Sequence, residues 1–458
     1  MNQELWQRIV DYNLYDPPTE YSFSIRLATE NFWTSDFTER AIFEYKKFMY
    51  MAATSDRMVS PSEVVDAVWH QHLVFTQSYQ SFGDLLGKQI QHVPSTHTRE
   101  EADRFKKARE HTRKLYAENF GVPPFDIWEC ASMYDSLNLP KAKWKIRSFV
   151  IAGILAFAFL IVPFYYLLEP LYRHIPNPEF LFGLMAIALG LFIFLWNFTK
   201  RQIEQDAWQF KEHTFIQKLA PLELIYLEKQ NLFPVVTAVV NDLIKKDVVF
   251  INPDKKLEIK RLEQVQSAEQ LQVVSELTYW KQSYYSALAP RLLKKPMFQR
   301  IERSMDAFKK YYSKSTRFVK LFQKNFVVLA FLMMLALIRL ITGLVHGMPA
   351  GYIFIVVLLL PVAIAFFLYG LTKLMCTHAI PELYRQKLKG TQMEQNDSNW
   401  RYFLYGSAAL SPSFEPIVIH VEQKSGDSSG FSSDASSGSS CGSSCGSSCS
   451  SCGGCGGD

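Results

Sequence analysis

One aspartate and three histidines are the side chains in this sequence whose types and spacing could support chemistry. The run Asp66-Ala-Val-Trp69-His70-Gln-His72 falls in a predicted helix, and a further histidine follows at His92. Residues four apart share one face of a helix, so the Asp66 carboxylate can orient the His70 imidazole. Imidazole and carboxylate donors together suit Zn, Fe or Mn. The first hypothesis is therefore a metal site with Asp66, His70, His72 and His92 as candidate ligands.

The spacing of the histidines leaves other uses open. His70 and His72 lie two residues apart, about 200° around a helix, and cannot both bind one ion unless the helix ends there. The usual helical metal pattern spaces its histidines by four. One alternative is a structural use, in which Trp69 and His70 are buried, Asp66 satisfies the imidazole and His72 lies on the outer face. The other alternative is general acid–base catalysis. No Ser or Cys nucleophile stands out near these residues in the sequence, and Cys130 is far from them.

The helix that must carry these residues has a recognisable start. Ser60-Pro61-Ser62-Glu63 has the composition of a capping box with proline at the first helical position, and the helix is expected to run to about Phe82. Amphipathic patterns predict further helices over 37–51 and 100–120. Residues 1–140 are therefore expected to form a helical domain.

Part of this domain resembles a known family. The segments 23–27 and Tyr45-Lys-Lys-Phe48, the run that ends in Trp69-His70-x-His72, and the downstream His92-x-Pro94 resemble the shared domain of glycine-rich domain-containing proteins. The resemblance covers residues 25–125. It implies little about chemistry, because that domain has no settled biochemical activity.

Four apolar segments are long enough to cross a membrane as helices: 148–168, 180–198, 326–345 and 352–371. About 20 residues at about 1.5 Å each span a hydrocarbon core of about 30 Å. These segments exclude a single soluble domain, and 35 Phe, 22 Tyr and 9 Trp exclude a wholly disordered chain. We expect four transmembrane helices in two hairpins, with the lipid bilayer as a partner.

Loop charge predicts how these helices are oriented. Lys and Arg cluster beside the spans at the ends that adjoin residues 1–147, 199–325 and 372–424, whereas the loop 346–351 has none and 169–179 has only Arg173. Positive-inside reasoning places both termini and the central region in the cytoplasm, with the protein in the cytoplasmic (inner) membrane of a bacterial type of cell. Arg339 lies inside the third span, where an arginine has either a functional or a structural role. In a structural role its side chain would extend to the outer membrane interface, or would pair with Glu169 or with backbone carbonyls. With one intramembrane Arg and no acid, a transporter is disfavoured.

Residues 200–325 read as a second cytoplasmic domain. Helices over 221–230 and 234–246, followed by strand-like runs at 247–252 and 257–260, have the order of a winged helix. The second helix is expected to turn five polar residues outward: Thr237, Asn241, Asp242, Lys245 and Lys246. Helices that recognise DNA bases usually present Arg, Asn or Gln toward their start, and among these five residues only Asn241 is of such a type. A protein partner or a homo-oligomer is therefore favoured over nucleic acid.

Residues 150–458 are similar to a second family, uncharacterised bacterial membrane proteins that end in a Cys/Gly-rich tail. The segment Pro221-Leu-Glu-Leu-Ile-Tyr-Leu, the helix and hairpin after it, and the flanking spans carry this resemblance. The tail of the present chain departs from the family because it is Ser-rich as well as Gly-rich.

The tail, 425–458, is nearly all Ser, Gly, Cys and Asp and is expected to be disordered. Five of the seven cysteines lie in it: Cys441, Cys445, Cys449, Cys452 and Cys455. In a reducing cytoplasm they would be thiols rather than disulfides. Soft-metal or redox capture, covalent modification and simple low-complexity expansion all stay open.

The predicted fold class is mainly α. It comprises a helical cytoplasmic domain, four transmembrane helices in two hairpins, a small winged-helix-like α+β domain, a cytoplasmic segment at 372–424 and a disordered tail. The predicted function is a membrane-anchored binding or scaffold protein, with no reaction specified. The alternatives are a metal-dependent enzyme or metal sensor, and a membrane-tethered DNA-binding regulator.

Overall fold

The structure is a computed structural model that describes residues 1–14, 22–92, 99–391 and 397–427. The chain divides into two compact units. The first contains Met1–Ser136, His213–Met305 and the described residues from Leu388 onward, and the second contains Leu137–Glu212 and Asp306–Lys387. The structure confirms the mainly helical fold class.

The elements follow one another in the order α1 (Gln3–Asp11), α2 (Phe23–Asn31), α3 (Ser35–Thr54), α4 (Glu63–Val74), α5 (Thr76–Leu86), α6 (Arg99–Phe120), α7 (Phe125–Trp128), α8 (Ile146–Tyr172), α9 (Asn177–Phe210), α10 (Thr214–Gln217), α11 (Pro221–Lys229), α12 (Phe233–Lys245), β1 (Val249–Ile251), β2 (Lys256–Ile259), α13 (Ala268–Trp280), β3 (Gln282–Tyr284), α14 (Tyr285–Leu292), α15 (Pro296–Ser313), α16 (Thr316–Val345), α17 (Gly351–Leu374), α18 (Ile380–Leu388), α19 (Ser398–Tyr405) and α20 (Glu415–Asp427).

Helices α3 and α4 form the centre of the N-terminal part of the first unit. Tyr45 and Phe48 of α3 and Trp69 of α4 are fully buried, and Phe23 and Phe82 close the core from α2 and α5. Burial of a large aromatic side chain stabilises a fold by about 1.5–3 kcal/mol. This aromatic core fixes α4, and with it the face that carries Asp66.

The bounds of α4 differ from the prediction at both ends. The helix begins at Glu63 because the Ser62 side chain, not that of Ser60, caps it by accepting the Val65 N–H at 3.2 Å. It ends at Val74, since Phe75 leaves the helical conformation, and α5 starts a new helix at Thr76. The single helix predicted to reach Phe82 is therefore two helices.

The winged-helix-like part of the first unit consists of α11, α12 and a small antiparallel sheet. The strands are ordered β1-β2-β3, with Phe250 opposite Glu258 and Leu257 opposite Ser283. The first two strands form the predicted hairpin. The third, β3, has three residues and was not predicted, because so short a run has no periodicity of its own.

The prediction that α12 turns five polar residues outward is wrong for three of them. Thr237 and Asn241 are fully buried and Asp242 nearly so, whereas Lys245 is exposed and Lys246 half-buried. Asn241 donates to the Ala409 carbonyl at 3.3 Å and accepts the Ser411 N–H at 2.9 Å. The segment that carries α19 thus covers the helix. The sequence gives no sign of this cover, since the segment lies about 160 residues further along the chain.

The second unit contains four helices, α8, α9, α16 and α17, that are long and apolar enough to cross a membrane. Both α8 and α17 pack on α16, whose apolar window is half buried, while the windows of the other three are almost wholly exposed. Large exposed apolar surfaces of this kind suit lipid rather than water. The helices form two hairpins, with α9 and α16 extending past the apolar runs into polar sequence.

The structure favours a structural role for Arg339 over a functional one. Its side chain is buried and donates to the backbone carbonyls of Tyr172 and Ile175, in the latter case at 2.7 Å. Glu169, the other predicted partner, instead pairs with Arg173 and with His346.

The last described helix, α20, includes residues 425–427, so the predicted tail begins in a helix. Cys441, Cys445, Cys449, Cys452 and Cys455 lie outside the described residues.

Candidate metal centre

Asp66, His70 and His92 lie together in the N-terminal helical domain. The Asp66 Oδ2 atom lies 3.3 Å from His70 Nε2, and Oδ1 lies 3.1 Å from His92 Nε2. One donor atom from each residue can be chosen so that all three lie within 4.8 Å of one another. Three of the four predicted ligands therefore meet at one point.

Helix α4 positions two of these ligands. Asp66 and His70 are one turn apart, which brings the carboxylate and the imidazole onto the same face. Asp66 lies in the first helical turn, where the helix dipole favours a negative charge. Its side chain is nearly buried, so the carboxylate is held in place rather than free in solvent.

His92 reaches the site from the segment after α5, and a relay of two aromatic side chains holds that segment. Trp69 Nε1 donates to the Tyr79 hydroxyl at 3.0 Å, and Tyr79 donates to the Ile90 carbonyl. The Trp69 ring also packs edge-on against the His92 ring, with centroids 4.5 Å apart. Supports of this kind orient ligands before an ion binds.

The electrostatics of the site follow from this geometry. The hydrogen bond to Asp66 raises the pKa of His70 above its ordinary value, against the opposing effect of burial. The His70 side chain is 50% exposed, while those of Asp66 and His92 are about nine-tenths buried. The site is consequently open to solvent on the His70 side.

His72, the fourth candidate ligand, lies apart from the other three. The structural alternative, with His70 buried and His72 on the outer face, is also wrong, because His70 is exposed and His72 is fully buried. Its Nδ1 bonds the Tyr45 hydroxyl at 2.8 Å and its Nε2 bonds the Ser78 hydroxyl at 3.1 Å. Burial lowers the pKa of His72 to about 4, and both ring nitrogens have partners within the core.

The donor set fits a divalent transition metal. Two imidazoles and one carboxylate form the set that binds catalytic Zn or non-haem Fe(II), with metal–ligand distances of about 2.0–2.2 Å. Such distances require the ligand atoms to lie about 3–3.5 Å apart in a tetrahedral site. The two contacts of Asp66 are in that range but use different oxygens, and one donor atom from each residue lies within 4.8 Å of the others, so the side chains must move closer together to share one ion. Three protein ligands leave a coordination position for water or a substrate.

Asp66 also lines a cavity of about 190 Å³. The other polar residues of its lining come from three separate segments: Ser60, Ser62, Glu63, Arg109, Thr112, Arg113 and Glu129. Sequence reasoning did not find it, because no local pattern links residues that only the fold brings together. At the cavity wall, Nη2 of Arg113 donates to both carboxylate oxygens of Glu129, at 2.7 and 2.6 Å. The cavity volume is sufficient for a small polar ligand beside Asp66.

The comparisons with known proteins bear on this domain alone. No curated protein and no solved structure matches the chain. Over residues 23–117, which include Asp66, His70 and His92, the chain is similar to the family described as UCP032817-like.

Proposed function

We propose that this membrane protein is a binding protein whose N-terminal helical domain binds one divalent transition-metal ion through Asp66, His70 and His92. The observation that supports this proposal is the convergence of three donor atoms from two separate segments within 4.8 Å. The resemblance of residues 25–125 to glycine-rich domain-containing proteins implies no activity, so the proposal depends on the ligand atoms.

Zn, Fe and Mn are the metals that this donor set suits. A metal with an open position supplies Lewis acidity to a bound water or a polar ligand. The half-exposed His70 gives a small molecule access to that position, and the cavity beside Asp66 gives it a polar pocket. A metal sensor and a metal-dependent enzyme both fit these features.

The proposed location is the inner membrane, with the metal domain, the central domain and the C-terminus in the cytoplasm. The support is the charge of the flanking sequence: Lys and Arg adjoin the four spans at the ends facing these regions, and the hairpin loops are poor in both. A cytoplasmic site would draw its ion from the cytoplasmic metal pool.

The test is elemental analysis of the purified full-length protein. The five tail cysteines are replaced by serine in every sample, so that thiols bind no metal. We expect about one equivalent of Zn, Fe or Mn in this parent protein, and a loss of most of it in His70→Ala, His92→Ala and Asp66→Asn. The matched control is His111→Ala, a histidine of the same domain that bonds Ser55 outside the cluster.

A parent protein that folds and stays metal-free after incubation with each of the three ions would contradict the proposal. So would a metal content that His111→Ala lowers as much as His70→Ala does. Circular dichroism of each variant separates loss of metal from loss of fold.

A second candidate function is a scaffold that forms homo-oligomers through the winged-helix-like domain. Tyr279, Trp280 and Tyr284 are 78%, 46% and 50% exposed beside the small sheet. Exposed aromatic clusters are typical of protein interfaces. The mass of the protein in nanodiscs, compared between wild type and Tyr279→Ser/Trp280→Ser, tests this: a smaller oligomer in the variant supports the scaffold, and an unchanged mass contradicts it.

We do not propose the DNA-binding regulator. A base-reading helix needs an exposed face near its start. Every residue of α12 from Val235 to Leu243 is buried, and Asn241, the one residue of base-reading type, bonds the segment that covers it.

A further inference from the structure

A polar cavity of about 350 Å³ lies in the second unit where α9 and α17 leave their apolar runs. Its walls come from α9, from α18 and from the short π-helix Met375–Ala379 between α17 and α18. Six polar or amphipathic side chains line it: Lys200, Glu204, Trp208, His378, Glu382 and Gln386. The metal centre and the winged-helix-like domain do not use it.

The cavity begins at the level of lipid headgroups. The apolar runs end at residues 198 and 371, so Lys200 lies about 3 Å and Glu204 about 9 Å along the helix beyond the hydrocarbon boundary. A headgroup layer extends about 5–8 Å from that boundary, so Lys200 lies within the layer and Glu204 at its outer edge. Tyr369 marks the same level, because Lys373 lies 4.3 Å from its ring centre, an aromatic and basic pair of the interfacial kind.

The π-helix shapes one wall of this cavity. Segments of this kind insert an extra residue into a helix and are frequent at functional sites. Here the segment directs His378 toward α9, where its Nε2 lies 2.8 Å from Glu204 Oε1. This contact fixes the carboxylate at the cavity wall.

The charges of the cavity are ordered by their distance from the apolar runs. Lys200 lies nearest the apolar run, while Glu204 and Glu382 lie further out. Within the described part of the chain, Lys200 forms no ion pair or hydrogen bond. Glu382 receives a hydrogen bond at 3.2 Å from Gln386, an exposed side chain of the same helix, and lies 4.0 Å from Arg385 at the outer limit of an ion pair. A cation that lies closer to the apolar runs than two carboxylates is complementary to a zwitterionic phospholipid. In such a lipid the phosphate lies closer to the acyl chains than the ammonium group does.

We propose that this cavity binds the headgroup of a zwitterionic phospholipid that carries a primary ammonium group. The phosphate contacts Lys200, and the ammonium donates hydrogen bonds to Glu204 and Glu382. A quaternary ammonium has no N–H to donate to these acceptors. An uncharged glycerol headgroup brings no cation of its own, so Glu204 and Glu382 keep only their partners within the protein, His378 at 2.8 Å and Arg385 at 4.0 Å. Phosphatidylethanolamine is therefore the preferred lipid over phosphatidylcholine and phosphatidylglycerol.

The experiment is native mass spectrometry of the full-length, delipidated protein in detergent. The protein is titrated with phosphatidylethanolamine, phosphatidylcholine and phosphatidylglycerol of identical acyl chains. We expect a first, saturable phosphatidylethanolamine to bind about fivefold more tightly than the other two lipids. Glu382→Gln should remove most of this preference, whereas Lys200→Gln should weaken the binding of all three lipids by about the same factor, because each carries the phosphate.

Lys373→Gln is the matched control, because it removes an interfacial lysine that does not line the cavity. It is expected to leave the preference and the affinity for each lipid unchanged. Equal binding of the three lipids, a preference for phosphatidylglycerol or phosphatidylcholine, or an equal effect of Lys373→Gln and Lys200→Gln would overturn the proposal. The oligomeric state and the α-helical signal of each variant show that it has folded.

Discussion

The Asp66 Oδ1 atom lies 3.1 Å from Nε2 of His92, a residue 26 positions further along the chain. The other oxygen of the same carboxylate lies 3.3 Å from Nε2 of His70. One nearly buried carboxylate thus contacts both imidazoles and brings two segments to one point. The two imidazole rings pack edge-on with centroids 4.4 Å apart, so the backbone already holds both beside the carboxylate and an ion can bind through movements of the side chains.

Replacing Asp66 should change the titration of His70. The hydrogen bond to Asp66 raises the pKa of His70, so in metal-free Asp66→Asn this pKa should fall. In the wild type, this contact stabilises the fold below the unfolded-state pKa of about 6.5, and its contribution disappears as the pH rises through the folded-state value. NMR titration of ¹³C-labelled histidine, with the signal assigned by His70→Gln, measures the change. An unaltered midpoint would show that the contact does not form in solution.

His72 should make the N-terminal domain sensitive to acid. Its pKa is about 4 in the folded chain and about 6.5 when unfolded, so the unfolded state binds the proton more strongly. Stability is unaffected above about pH 6.5 and falls as the pH drops toward 4, by about 3 kcal/mol for a shift of this size. Hydrogen exchange of the α4 amides between pH 7 and pH 4, corrected for the intrinsic rate, measures the loss.

The control for this prediction is His72→Gln, which retains hydrogen-bonding groups but does not titrate. It should reduce the loss of α4 protection between pH 6 and pH 4. His70→Gln should not, because the contribution of His70 changes only above its unfolded-state pKa of about 6.5. A wild-type protein whose α4 protection is constant down to pH 4 would contradict a buried, neutral His72.

The sequence predicted part of this site correctly and part wrongly, for a physical reason. The spacing of Asp66 and His70 depends only on helix geometry, which is local, and the structure reproduces it. The direction of His72 depends on Tyr45 and Ser78, and Ser78 reaches it only because the helix breaks at Phe75. That break has no proline or glycine to announce it. Residue types alone therefore could not decide which histidine is buried.

Asn241 should hold the C-terminal segment on α12. Its amide makes two buried hydrogen bonds, to the Ala409 carbonyl and from the Ser411 N–H. Asn241→Ala leaves the buried Ser411 N–H without its acceptor, at about 1–3 kcal/mol, while the Ala409 carbonyl keeps its hydrogen bond from Lys245 at 2.6 Å. We expect faster proteolysis within residues 397–427 of the full-length protein. Asn119→Ala, which removes only a local bond to Leu115, should leave the cleavage rate unchanged. Equal rates for the wild type and Asn241→Ala would contradict the proposed anchor.

The same contrast between local and distant information holds for the fold. The four apolar helices and the order of α11, α12 and the hairpin follow from composition and short-range pattern, and the structure contains them. The cover on α12 and the third strand depend on segments distant in sequence or too short to show a period. Local patterns determine which elements form, whereas long-range packing determines which of their faces remain exposed.

Arg339 should be required for the stability of the membrane unit rather than for transport. Its guanidinium binds the carbonyls of Tyr172 and Ile175 at the end of α8, where a helix leaves its last carbonyls without intrahelical partners. The Phe180 ring lies 5.0 Å from the guanidinium carbon and adds a cation–π contact.

Arg339→Met should therefore destabilise the protein by about 3 kcal/mol or more, since two carbonyls lose their donor in a buried region. Arg339→Lys should lie between Arg339→Met and the wild type, because an ammonium group cannot match the planar fork that reaches both carbonyls. The measurement is the temperature at which half of the full-length protein in detergent is lost from the monodisperse peak in size-exclusion chromatography. Arg173→Met, an exposed arginine paired with Glu169 in the same hairpin, is the control and should change little. If Arg339→Met is as stable as the wild type, the carbonyl contacts are dispensable and a functional role for this intramembrane charge becomes the better explanation.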